Sequence, residues 1–199
     1  MAVAIIHIMP LLAALVTNDA GAAATAPPAD AGARQAPALK SPRAQVEAAL
    51  DKSAGAADLQ RLAQTSQAQL MAVAVDRAVA PTVRGRALSA LAYAANGRAH
   101  AFLENFIIRT TPSRDATDRA LLGQAAVALG WQGGPRLVDL LSPLLDDGDR
   151  EVRLNAAIGL GLSRNRDAEK PLRARLAAET DPAVKRQLDT ALRAVTSPR

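Results

Sequence analysis

The residues able to do chemistry in this chain are few, and they do not converge. Cysteine is absent, which removes thiolate nucleophiles, Cys-ligated zinc, structural disulfides and a lipidated cysteine at the leader. Of the two histidines, His7 lies in an apolar leader, and His100 has no partner at a recognisable catalytic spacing, so a nucleophile and base pair has little to draw on. Gly133-Gly134-Pro135 lacks the following Lys-Ser/Thr of a phosphate-cradling loop and reads as a turn that opens a helix. Asp146-Asp147-Gly148-Asp149 lacks the alternating Asp pattern and the distal Glu of a calcium loop and reads as an acidic turn between helices. No catalytic residue, cofactor or metal site is assigned, and no small-molecule substrate is expected.

The elements that would position any site repeat. Asp149-Arg150-Glu151-Val152-Arg153 leads into Ala156-Ala157-Ile158-Gly159-Leu160, and Asp181-Pro182-Ala183-Val184-Lys185 leads into Leu188 and Ala191-Leu192, with Val152 and Val184 32 residues apart. Two earlier helices, starting at Val83 and Leu121, align with these. The column four residues in holds Ala87, Ala125, Ala156 and Leu188; seven in, Ala90, Ala128, Gly159 and Ala191; eight in, Leu91, Leu129, Leu160 and Leu192. Such offsets share one helix face, and recurrence at this period marks a solenoid in which each helix pair buries its apolar face against the next. The intervening first helices carry Phe102, Leu103, Phe106 and Ile107, then Leu137 to Leu145, then Leu172 and Leu176. Pro143 should kink or end its helix. Gly159 and Gly161 inside a helix each cost about 1 kcal/mol relative to Ala, which close approach of neighbouring helices would explain.

Aromatics make up only 2% of the chain, so the core must come from Ala, Leu and Val, and an all-β fold is disfavoured. The expected fold class is all-α, an α-solenoid of antiparallel helix pairs. Ser41-Pro42 starts the first helix, a capping side chain before proline at the first helical position, and it runs to about Lys52. Short helices follow over Asp58 to Ala63 and Gln67 to Val79. Residues 42–199 form the solenoid domain. Its last helix, about Pro182 to Val195, is apolar on one side and charged on the other, as a capping helix would be.

Ahead of the domain, residues 2–16 are an apolar run, followed by Thr17-Asn18-Asp19 and small residues ending in Ala22-Ala23-Ala24. This pattern reads as a secretory signal peptide over residues 1–24, with the atypical feature that no Lys or Arg precedes the apolar run. At fifteen residues with Pro10 inside it, the run is shorter than the roughly 20 residues of a transmembrane span, and no stable transmembrane anchor is expected. Residues 25–41, rich in Ala and Pro, read as a disordered linker. The expected location is outside the cytoplasm, periplasmic or secreted.

The recurring Asp-x-x-Val-Arg/Lys followed by an Ala-rich helix with Gly-Leu-Gly, over Asp149 to Gly161 and Asp181 to Leu192, resembles the HEAT repeat, particularly the compact HEAT-like repeats of phycobilisome lyase type. The resemblance implies a HEAT-like superhelix used as a protein-binding scaffold, with an Asp and a basic residue bonding between adjacent repeats. That pair maps onto Asp149 with Arg153 and Asp181 with Lys185. In earlier repeats it is incomplete, since Ala80 replaces the Asp beside Arg84 and Leu122 replaces the basic residue beside Asp118. The aspartates also suit helix N-caps.

The best functional candidate is a surface. Offsets three, six and ten of the second helices bring Arg86, Ser89 and Tyr93, Gln124, Val127 and Trp131, Asn155, Ile158 and Leu162, and Gln187, Thr190 and Ala194 onto one face beside the core stripe. It collects the only Trp and the only Tyr, residue types that anchor interfaces. A protein or peptide partner is expected there, the competing role being closure of helix ends by Tyr93 and Trp131. The net charge of +5 resides wholly in residues 150–199, where eleven Lys/Arg face six Asp/Glu; this end could attract anionic partners. Nucleic acid is not expected, since it conflicts with export. The leading reading is a noncatalytic scaffold in the cell envelope. The alternatives are an accessory or chaperone-like subunit of an enzyme, similar to lyase-type HEAT proteins, and a cytosolic nucleic-acid binder using the basic repeats.

Overall fold

The computed structural model describes residues 41–52, 55–94 and 96–197; the expected leader and nearly all of the expected linker lie outside them. In order come α1 (Pro42–Asp51), α2 (Ala56–Thr65), α3 (Gln67–Val75), α4 (Pro81–Leu91), α5 (Gly97–Thr110), α6 (Ala116–Gln132) and α7 (Leu137–Leu141), which runs directly into a 3₁₀ turn (Ser142–Asp146). Then follow α8 (Arg150–Ser163), a 3₁₀ turn (Arg166–Ala168), α9 (Glu169–Ala178) and α10 (Pro182–Thr196). All regular structure among the described residues is helical.

Side-chain caps set the starts. Ser41 Oγ accepts from the N–H of Ala44, Asn96 from Ala99, Asp115 from Asp118, Asp149 from Glu151, and Asp181 from both Ala183 and Val184. Each satisfies amide groups that the first turn leaves unpaired. The ends follow equally local causes. The helix expected to reach Val79 stops at Val75, because Asp76 Oδ1 accepts the N–H of Ala78 at 2.8 Å and turns the chain. Pro143, lacking an N–H to donate, falls just after Leu141, where α-helix gives way to the tighter 3₁₀ form.

Packing runs along the second helices. α4, α6, α8 and α10 contact one another in series, most extensively α6 with α8, while α3, α5, α7 with its turn, and α9 pack each against its own second helix. α1 and α2 each pack against α3 and α4 at the start of the described stack. This is an α-solenoid. The repeated columns are buried, including Ala87, Ala125, Ala156, Leu188, Leu91, Leu129 and Leu160. Leu192 is only half-buried, because α10 has a second helix on one side only among the described residues. No helix among the described residues is long and apolar enough to cross a membrane.

Candidate functional site

The face of the second helices holds two kinds of side chain. Some are committed to neighbouring helices. Arg86 Nη1 donates to the carbonyls of Leu50 at 2.6 Å and Asp51 at 3.0 Å, tying α4 to the end of α1. Ser89 is buried and donates to Gln124 Oε1 at 3.2 Å, bridging α4 to α6. Asn155, also buried, donates from Nδ2 to the carbonyl of Glu151 at 2.9 Å and fills the space against Gly123, where a Cβ would lie 2.7 Å from its Nδ2. These polar residues face their neighbours because an amide or hydroxyl between helices must be satisfied there.

Others form an apolar patch. Val127 of α6 and Ile158 of α8 make a cluster apart from the main core, flanked by the half-buried Leu154 and Leu162. Tyr93 and Trp131 are instead half-buried against the main core, with ring centroids 6.2 Å apart and planes tilted by 55°; burial pushes the Tyr93 phenol above its ordinary value. Gln187 is half-exposed on α10. The face therefore brings Val127 together with α8, and Tyr93 together with Trp131, while Arg86 and Asn155 work within the stack. Leu154 belongs to the patch although it falls outside the offsets expected for the strip. Leu154, Ile158 and Leu162 recur every four residues, a second apolar ridge on α8 beside its core stripe.

The turns leading into the second helices carry a different arrangement. An arginine from one repeat reaches a carboxylate at the next: Arg43 to Asp76, Arg77 to Asp118 at 3.1 Å, Arg119 to Asp147, Arg150 to Asp181 at 2.9 Å, and Arg153 to Glu179 at 2.9 Å. The pairs mapped from the family resemblance are corrected accordingly. Asp149 caps its own helix and does not meet Arg153; Asp181 is reached by Arg150; and Lys185 is exposed with no ion pair among the described residues. Asp149 directs its side chain at the amide of its own first turn, and Asp147, two residues further back, meets the preceding repeat; at the next turn both Glu179 and the cap Asp181 do so. Arg84, without an Asp, is buried and donates to the carbonyl of Ala74 at 3.1 Å.

Glu179 is the most tightly held of these groups. Its side chain is fully buried, and it accepts from Arg153, Arg175 and the N–H groups of Thr180 and Asp181, the last two at 2.9 Å. Burial opposes its charge, but these donors outweigh burial and hold the carboxyl well below the usual carboxylate range. Its role is to fasten α9 and α10 to α8.

The remaining sequence candidates are absorbed by structure. In the acidic turn, Asp146 pairs with Arg175 at 3.2 Å, Asp147 with Arg119, and Asp147 Oδ1 accepts the N–H of Asp149 at 2.8 Å. His100 lies 3.2 Å from Gln132 Oε1 and 3.4 Å from Glu104, which also meets Arg136 at 3.2 Å. Gln132 donates in turn to the carbonyls of Leu91 and Ala94. His100 thus joins α5 to α6 as part of a linking network.

Serial packing of the second helices, the aspartate caps of α6, α8 and α10 and the arginine bridges between repeats define the class as a short-repeat α-solenoid. Residues 138–199 match the family model for HEAT repeats, and this part of the chain carries HEAT repeats. No curated protein matches the chain. The matched segment covers the last two repeats, where the Asp-capped pattern is most regular; the preceding helix pairs continue the same stack.

Proposed function

We propose that this chain is a noncatalytic interaction scaffold of the cell envelope that receives a protein partner on the face of its second helices. A helical scaffold for protein interaction is what HEAT repeats supply. The observation that carries the finer reading is the patch of Val127, Ile158, Leu154 and Leu162. Val127 and Ile158 stand apart from the main core between two second helices with Leu162 packed against them, and Trp131 follows Val127 by one turn of α6. A small desolvated apolar centre with an aromatic neighbour is the composition of an interface hot spot. Support for the envelope comes from the signal-like pattern over residues 1–24.

The test replaces Leu162 with glutamate, since it is half-buried and packs against the Val127–Ile158 cluster rather than the main core. Arg86 is unsuitable because it ties α4 to α1. Capture of cross-linked envelope partners should fall at least tenfold, which corresponds to about 1.4 kcal/mol, while far-UV circular dichroism stays unchanged. Undiminished capture would overturn the reading of the face. Export is tested separately by intact mass: loss of roughly the first 24 residues in protein from the exported fraction supports it, and full-length protein confined to the cytosol refutes it.

A further inference from the structure

The ends of α6, α8 and α10 converge on one cleft of about 680 Å³, a size suited to a small ligand. Its walls include Gly133 and Gly134 from the end of α6, Ser163, Arg164 and Arg166 from the end of α8, and Ser197 from the end of α10. Among the described residues, no carboxylate lines it. Both arginines are exposed, and neither guanidinium makes an ion pair or hydrogen bond among the described residues. Arg119, Arg150, Arg153 and Arg175 are each spent on a carboxylate; Arg98, Arg109, Arg114 and Arg186 are not, but none of these lines the cleft.

Arg164 has a second distinguishing feature. It caps α8 in the left-handed conformation, with φ 49° and ψ 27°, and among the described residues it is the only non-glycine with positive φ. The same position of the preceding repeat, the cap of α6, is Gly133 with φ 74°. Glycine takes positive φ without steric cost and arginine does not, so this position gives up stability to place a cationic side chain at the cleft. Backbone strain of this kind gathers where a side chain serves binding.

We infer that the cleft is an oxyanion-binding site in which Arg164 and Arg166 hold a compact ligand bearing a carboxylate or phosphate group. Paired guanidiniums suit either oxyanion through charge-assisted, bidentate bonds. The N–H of Gly134, which has no acceptor among the described residues, offers a further donor. The competing role is compensation of the negative helix ends that meet here. That role makes the opposite prediction for Arg164→Gly, since removing a compensating charge lowers stability, whereas releasing a strained cap raises it.

The experiment is a titration of the full ¹⁵N-labelled chain with sodium phosphate and, separately, with sodium succinate, each referenced to sodium chloride at equal ionic strength. Saturable shifts at Gly133, Gly134 and residues 164–166 are expected. The tighter of the two anions identifies which oxyanion class the site takes. Arg164→Gly and Arg166→Gln should each weaken binding at least tenfold, and Arg164→Gly should also raise the melting temperature by about 2–4 °C. Shifts matched by chloride, variants that bind as the parent does, or a fall in melting temperature for Arg164→Gly would each overturn the proposal.

Discussion

At Gly130 and Gly159 the helices α6 and α8 approach backbone to backbone. A Cβ on Gly130 would lie 2.3 Å from the carbonyl oxygen of Gly159, and one on Gly159 would lie 2.5 Å from that of Ala126. Gly161 faces α10 as closely, 2.9 Å from Ala191 Cα. Gly85 differs, because its nearest neighbours would be side-chain carbons of Gln124 and Leu121 at 3.7 Å, ordinary contact. Both sites are helical, so alanine gains about 1 kcal/mol of propensity at either. Gly85→Ala should therefore stabilise the protein by up to about 1 kcal/mol, while Gly159→Ala should destabilise it by about 1–3 kcal/mol through overpacking against main chain. Denaturant unfolding of the two variants gives the signs directly. The close approach was legible at Gly159, which interrupts the column of Ala90, Ala128 and Ala191, and at Gly161 from the cost of a glycine inside a helix. Which atoms each glycine meets was not legible, since they lie on another helix.

At the scale of elements, the helices themselves were readable from apolar spacing, proline and capping aspartates, which act within a few residues. The bridges between repeats were not. Arg153 meets Glu179 across 26 residues, and Arg119 meets Asp147 across 28, and no local rule prefers these partners over an adjacent Asp and Lys. The proposed partner face was half legible for the same reason: helical offsets place Val127 and Trp131 on it, but burial of Ser89 and Asn155 depends on what α6 and α8 present in return. The bridges give the fold an acid limit. The Glu179 carboxyl is held below its ordinary value of 4.5, and those of Asp181 and Asp76 below theirs of 3.8. Carboxylates depressed in the folded state contribute stability that is fully present above the unfolded pKa and is lost as pH falls toward the folded one. The denaturation midpoint should thus be steady down to about pH 5 and decline below it. Glu179→Gln, which removes one of these titrations, should start lower and decline less steeply. An unchanged slope in that variant would show that Glu179 does not set the limit.

The molecule as a whole is a row of nearest-neighbour contacts, and stability in such a row is close to a sum of repeat and interface terms. Glu179 sits at one interface, tying α9 and α10 to α8 through Arg153 and Arg175. Replacing it with alanine leaves two guanidiniums facing an emptied site. The cost should be about 3 kcal/mol, toward the low end for a broken buried ion pair, because Arg153 and Arg175 retain some access to water. In a single cooperative globule that cost would lower amide protection everywhere by the same amount. In a solenoid it should fall on the last pair alone. Hydrogen exchange on Glu179→Ala is therefore expected to show faster exchange across α9 and α10, with α6 and the first turns of α8 nearly unaffected, since these are held by the Gly130–Gly159 contact and by α5 and α7. A uniform acceleration from α4 to α10 would mean that the repeats unfold as one unit, and that the bridges couple the stack more strongly than nearest-neighbour packing requires.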